Sequence, residues 1–162
     1  MSDPKMKQRL DDTLLKIHTM IWGQKKTSAL TMSNCELFHK VRNYVSHRPL
    51  PKKVGIIVGL LRGWELDPTQ YTDADNGWYD EDKEFILFNP HYKMEDAWEL
   101  FEDCWNEKNR YALEFDLRYE NGVAYYSICG WPGDSFRANN PNEIPLAITK
   151  AYVYSELTKR YL

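Results

Sequence analysis

Apolar residues recur along this chain at two spacings, and the changes from one spacing to the other mark its elements. From Lys5 to Ile21, Leu10, Leu14, Ile17 and Ile21 fall three or four apart, which predicts a helix with one apolar face. Gly23 ends it, and Gln24–Thr31 reads as a polar connection. Ser33-Asn-Cys-Glu36 is a capping box, in which the Ser33 hydroxyl accepts from the Glu36 amide and the Glu36 side chain reaches back. The helix it opens carries Leu37, Phe38, Val41, Tyr44 and Val45 on one stripe. Pro49 and Pro51 close it, because proline cannot continue the hydrogen-bond ladder. Lys52 to Arg62 is a short apolar run without a decisive period. A buried helix ended near Gly63 is favoured over a buried strand, with Gly55 and Gly59 allowing close packing.

Glu65–Asp82 is rich in Asp, Pro, Asn and Gly and reads as a long loop with a short hairpin around Asn76-Gly77. Phe85–Phe88 is a short strand stopped by Asn89-Pro90. A helix from Lys93 to about Glu107 carries Met94, Ala97, Trp98, Phe101 and Trp105 as its apolar stripe. Its other face holds Glu95, Asp96, Glu99, Glu102 and Asp103, and the last of these oppose the helix dipole. Tyr111, Leu113, Phe115 and Leu117 then alternate with polar residues, the period of a half-buried strand. Asn121-Gly122 favours a type I′ turn into a returning strand, Val123–Trp131. Pro132-Gly133 turns again into Ser135–Ala138, and Asn139–Glu143 is a loop. A last helix from Pro145 to about Tyr161 carries Leu146, Ile148, Ala151, Tyr152, Ser155 and Leu157. Helices segregated from an antiparallel meander predict an α+β layered domain.

Charge changes the picture. Of 24 acids and 21 basic residues in 162, 14 acids and only Lys83 and Lys93 lie between Trp64 and Glu107. A block near −12 therefore stands beside a remainder near +9, inside a formal total of −3. The block also holds four of the six tryptophans, Trp64, Trp78, Trp98 and Trp105. An aromatic fraction of 14% points to a folded core built on large rings and excludes a disordered chain.

The longest apolar run, Val54–Leu61, is too short to span a bilayer, and the first residues lack the apolar core of a signal peptide. Cys35, Cys104 and Cys129 are far apart and odd in number. They read as reduced structural thiols of a cytoplasmic protein.

Arg62-Gly-Trp64, Gly77-Trp78, Phe88-Asn-Pro90, Met94-Glu-Asp-Ala-Trp98, the meander and Ile144-Pro-Leu-Ala-Ile148 occur in this order. The ordered set resembles the phage ABA-sandwich domain family of small phage and prophage proteins, over about residues 54–157. The resemblance implies a layered α/β/α sandwich of helices about a small, mostly antiparallel sheet. It divides the chain into an N-terminal helical extension, 1–50, and a sandwich-like domain, 51–162. It implies no catalytic residues, and suggests an accessory protein that acts by binding a host factor.

The candidate chemistry is thin. His18, His39, His47 and His91 lack the spacing of a metal site. A calcium loop starting at Asp75 has Asp80 where glycine is required and Ile86 where the bidentate Glu belongs. No Gly-x-Ser-x-Gly elbow or phosphate-binding loop occurs. Neither enzymatic activity nor a cofactor is expected.

Binding readings remain. In the first, Asp73, Asp75, Asp80, Asp82, Glu95, Glu99, Glu102 and Asp103 form an acidic face for a host protein with a basic, nucleic-acid-binding surface. The bland alternative is a solubilising face. In the second, Trp64, Trp78, Tyr79 and Trp131, with Arg62 and Arg137, line a pocket for a nucleotide-like ligand, since bases stack on rings and guanidinium forks pair with phosphate. Here the bland alternative is core packing. In the third, the N-terminal 63 residues, with twelve Lys/Arg against four acids, contact nucleic acid. Docking of that basic part onto the acidic block, within one chain or between copies of a homo-oligomer, competes with it.

Overall fold

The computed structural model describes residues 4–23, 33–68, 75–106, 113–130 and 133–161, with side chains from residue 12 onward in the first segment and as far as 104 in the third. The connection 24–31, Asp73, Tyr111, Ala112, Trp131 and Pro132, and the side chains of Leu10 and Trp105, lie outside them. Within the described residues the chain is α+β, with five α-helices and six strands. The strands form two antiparallel three-stranded sheets rather than the single small sheet expected.

Helix α1 (Pro4–Trp22) buries Leu14, Ile17 and Ile21 as the spacing predicts. Helix α2 (Asn34–Ser46) starts at Ser33, whose hydroxyl accepts from the Glu36 amide at 3.2 Å, and buries Leu37, Phe38, Val41 and Val45. Lys52–Arg62 is indeed helical, as α3 (Pro51–Leu61). Pro51 opens this helix rather than only closing the one before, because a first-turn proline forfeits no intrahelical bond. Gly63, at φ +76°, ends α3 and lets the Trp64 amide reach back to the Gly59 carbonyl (3.0 Å).

The described residues of the acidic stretch after α3 include strands where a loop is expected. Strands β1 (Glu65–Leu66), β2 (Gly77–Tyr79) and β3 (Phe85–Leu87) form the first sheet. Asn76-Gly77 begins β2 and is not the hairpin turn. The turn is Asp80–Glu84, where the Asp80 carboxylate accepts from the amides of Asp82 and Glu84, both at 2.9 Å. One short side chain supplies the acceptors that a tight turn lacks.

Helix α4 (Met94–Asn106) is rotated from its expected setting. Ala97, Leu100 and Cys104 are buried and Phe101 is half-buried, whereas Met94 and Trp98 face outward. The physical reason is its neighbour. α4 packs on α5 (Ile144–Tyr161), and the small side chains of Ala97 and Cys104 allow a close approach there that Trp98 would block.

The meander is β4 (Glu114–Glu120), β5 (Val123–Cys129) and β6 (Ser135–Ala138), joined in that order. The two-residue turn is Asn121-Gly122, at φ +51° and +78°, as type I′ requires. Strand β4 is not half-buried: all seven of its residues are exposed.

Helix α5 is the element the others share. It packs against α2, α3, α4, β5 and β6. Twelve of its eighteen residues are buried, including Ile148, Ala151, Val153 and Leu157. One apolar cluster joins these to Leu14, Ile17, Val41, Ile57, Trp78 and Leu100, so the first two helices contribute to the same core as the rest.

Candidate functional site

The acidic block divides into carboxylates that hold the fold together and carboxylates that face solvent. Asp80 shapes the β2–β3 turn. Asp75 accepts from the Tyr92 hydroxyl, and Asp96 accepts from the Asn89 amide at 2.7 Å, fixing the Asn89-Pro90 step against α4. Asp67, buried, accepts from the Tyr79 hydroxyl at 3.2 Å. That hydrogen bond, and then the Asp67 charge, hold the Tyr79 phenol above its usual range. Glu99 and Asp103 both meet Arg62, which lies over the Trp64 and Phe88 rings at 5.0 and 4.8 Å. Basic-on-acidic docking thus occurs inside the chain, at Arg62. Asp82, Glu84, Glu95 and Glu102 remain exposed, and Asp73 lies outside the described residues.

Large apolar side chains accompany those exposed acids. The register Tyr79↔Phe85 and Gly77↔Leu87 puts Tyr79, Phe85 and Leu87 on one face of the first sheet. All three are exposed, while Trp78 and Ile86 turn the other way into the protein. Past the Phe88–Lys93 connection, Tyr92, Met94 and Trp98 are exposed as well, Trp98 at 47% and stacked parallel on Phe101 at 5.1 Å. Sequence periodicity missed this surface. It placed Met94 and Trp98 in the core, and it gave no signal for which face of a three-residue strand turns outward.

Of the aromatic and arginine set for a nucleotide, the described residues bring Arg62, Trp64 and Trp78 together, but as packing. Trp78, expected in a turn as a surface contact, is fully buried in β2, because Gly59 of α3 leaves room for its indole. Trp64 is half-buried against Trp78 and Phe88, at 6.3 and 5.6 Å between rings. Tyr79 lies on the first sheet and Arg137 on the second. Trp131 lies outside the described residues.

Arg137 instead stacks over Tyr125 (3.9 Å), donates to Asn139 (2.6 Å) and pairs with Glu120 (2.8 Å). It lines a cleft of about 500 Å³ together with Ser46, Arg48, Asn139, Glu143 and Lys150. Burial pulls the Lys150 ammonium down, with Glu143 opposing. Arg48 and Lys150 carried no motif in the sequence; the fold alone assembles them.

Three basic residues of the N-terminal part are engaged internally. Arg42 pairs with Asp134 (3.7 Å), Lys53 donates to the Ile21 carbonyl (2.6 Å), and Arg62 is held as above. Among the described residues no three His, Cys, Asp or Glu side chains converge to hold a metal ion, and no helix is long and apolar enough to cross a membrane. The chain matches no family model, no characterised protein and no solved structure.

Proposed function

We propose that the protein acts by binding a partner protein with a basic surface, through the outer face of the first sheet and the exposed side of α4. The observation that carries this reading is the coincidence of six exposed apolar side chains, Tyr79, Phe85, Leu87, Tyr92, Met94 and Trp98, with the chain's acidic block. Aromatic residues and methionine dominate the energetic centres of interfaces. A surrounding acidic field steers a basic partner and rejects an acidic one. A sequence block that served only solubility has no use for six large exposed apolar groups. The ordered motifs, which resemble those of phage ABA-sandwich proteins, support a phage or prophage accessory role, in which the partner is a host factor sequestered or inhibited in the cytoplasm.

The test is affinity capture from host extract with three baits. Wild type should retain a basic protein that elutes with salt. Glu95→Lys/Glu102→Lys, which leaves the Arg62 pairs intact, and Trp98→Ser should each lose it. Equal capture by all three baits sinks the reading.

The cleft favours a second reading, a phosphate-bearing small ligand held by Arg48, Arg137 and Lys150, because these three cations line it with one carboxylate, Glu143, while Arg137 is also paired with Glu120. A nucleotide bound there raises the melting temperature by mass action. No shift with any mono-, di- or cyclic nucleotide rules it out.

A further inference from the structure

The outer strand of the second sheet carries an inference independent of the acidic face. Among the described residues β4 pairs only with β5, and none of them pairs along its other edge. An open edge presents unpaired backbone donors and acceptors, and proteins ordinarily blunt such edges. β4 is seven residues long and carries no proline or lysine.

Register fixes what this edge displays. Phe115 pairs with Ile128, and Leu117 with Tyr126; Ile128 and Tyr126 in turn pair with Phe136 and Ala138 of β6. These residues share the face that packs on α5, where the Phe136 and Tyr154 rings meet at 5.8 Å. The apolar face therefore continues past the helix that covers it. Phe115 is 40% exposed, Leu117 55% and Tyr119 72%. Glu114, Asp116, Arg118 and Glu120 occupy the opposite face. Glu120 and Val123 flank a two-residue turn and exchange hydrogen bonds with each other, and the pattern alternates from there. The amides and carbonyls of Phe115, Leu117 and Tyr119 thus point to the edge away from β5.

The strand reads Glu114-Phe-Asp-Leu-Arg-Tyr-Glu120, which is close to its own complement when reversed about Leu117. We propose that β4 pairs antiparallel with β4 of a second copy, on a two-fold axis at Leu117, joining two sheets into one of six strands. Leu117 then faces Leu117 of the second copy, and Phe115 faces Tyr119 of the second copy, on the apolar side. On the polar side Asp116 faces Arg118 of the second copy, twice by symmetry. Within one chain Asp116 and Arg118 are already 3.5 Å apart, so both charges sit at the edge. Glu114 meets Glu120 of the second copy, and the pairing of each Glu120 with its own Arg137 offsets that like charge. Shifting the axis by one residue sets Asp116 against Asp116, or Arg118 against Arg118 and Asp116 against Glu120. Charge therefore selects the Leu117 register.

The test is the mass of the full chain in solution, by size exclusion with light scattering, alongside circular dichroism to confirm folding. Wild type should have the mass of two chains. Asp116→Arg and Arg118→Asp should each have the mass of one, since each sets like charges in apposition at two places. An equimolar mixture of the two variants should recover the double mass, and so should the chain carrying both substitutions. A wild type that stays monomeric at high concentration overturns the proposal, as does a dimer that survives both reversals. Single variants that fall to monomers without recovering on mixing overturn it too. Because the acidic face is on the other sheet and on α4, capture of a basic partner by Asp116→Arg reports on that face separately.

Discussion

Arg62, at the end of α3, donates to Asp103 of α4, and the same guanidinium covers the Trp64 and Phe88 rings at 5.0 and 4.8 Å. One half-buried cation thus ties the end of α3 to α4 and to the rings of Trp64 and Phe88, which flank the first sheet, and engages Glu99 as well. The carboxylates are about half exposed, so their pairing is worth little alone; the desolvated contact with two rings adds more. Arg62→Ala should cost about 1–3 kcal/mol in urea unfolding. Arg62→Lys, which keeps the charge but loses the flat stacking surface, should recover less than half. Equal stability of wild type and Arg62→Ala would show that the ring contact contributes nothing.

Gly59 sets the position of Trp78. A methyl group added at Gly59 lands on the Trp78 indole, inside van der Waals distance of three ring atoms. The indole is fully buried and has nowhere to retreat. Gly59→Ala should destabilise by about 1–3 kcal/mol despite the higher helix propensity of alanine. At this chain length that is about 2–4 °C of melting temperature per kcal/mol. The double variant Gly59→Ala/Trp78→Phe should fall short of the sum of its parts, because the smaller ring vacates the contested space.

The legible parts of this fold were those governed by local chemistry. The Ser33 cap, the apolar spacing of α1 and α2 and the Asn121-Gly122 turn all follow from neighbours within four residues, and that turn brings β4 and β5 of the meander together. Errors arose where a partner distant in sequence decided the outcome. Trp98 fits a helical stripe as well as Leu100 does, but α5 accepts the small-residue seam and leaves Trp98 outside. Trp78 stands beside turn residues, yet Gly59 opens a place for it in the core. Asp80 and Asp82 look alike in a charge run, and only the Asp80 carboxylate closes the hairpin. The candidate face was legible as an excess of acid; its apolar half was not, because exposure depends on which side of a short sheet meets the protein.

The Asn121-Gly122 turn should control the order of β4 separately from the core. Gly122 sits at φ +78°, where a side chain costs about 1–2 kcal/mol, and Asn121 tolerates φ +51° through its short polar side chain. Gly122→Ala should therefore speed amide hydrogen exchange in β4 and the start of β5, while amides of α5 keep their protection. Faster exchange across α5 as well would mean that the hairpin unfolds only with the whole chain.

His18 should make stability fall as pH drops below neutrality. The imidazole is 5% exposed and lies against Trp22 with ring centres 4.6 Å apart. Burial, and then the Lys40 charge, hold it below the ordinary value of 6.5. The fold thus keeps His18 neutral under conditions where the unfolded chain takes up a proton. By linkage this contribution is complete above about 6.5 and is lost progressively as pH falls toward the lowered value in the fold. The midpoint of urea unfolding, followed between pH 8 and 5, should decline for wild type and decline less for His18→Gln, which cannot titrate. Lys40→Ala should move the decline, because removing the nearby charge brings the folded value closer to that of the unfolded chain. Parallel profiles for wild type and His18→Gln would assign the acid sensitivity to other groups.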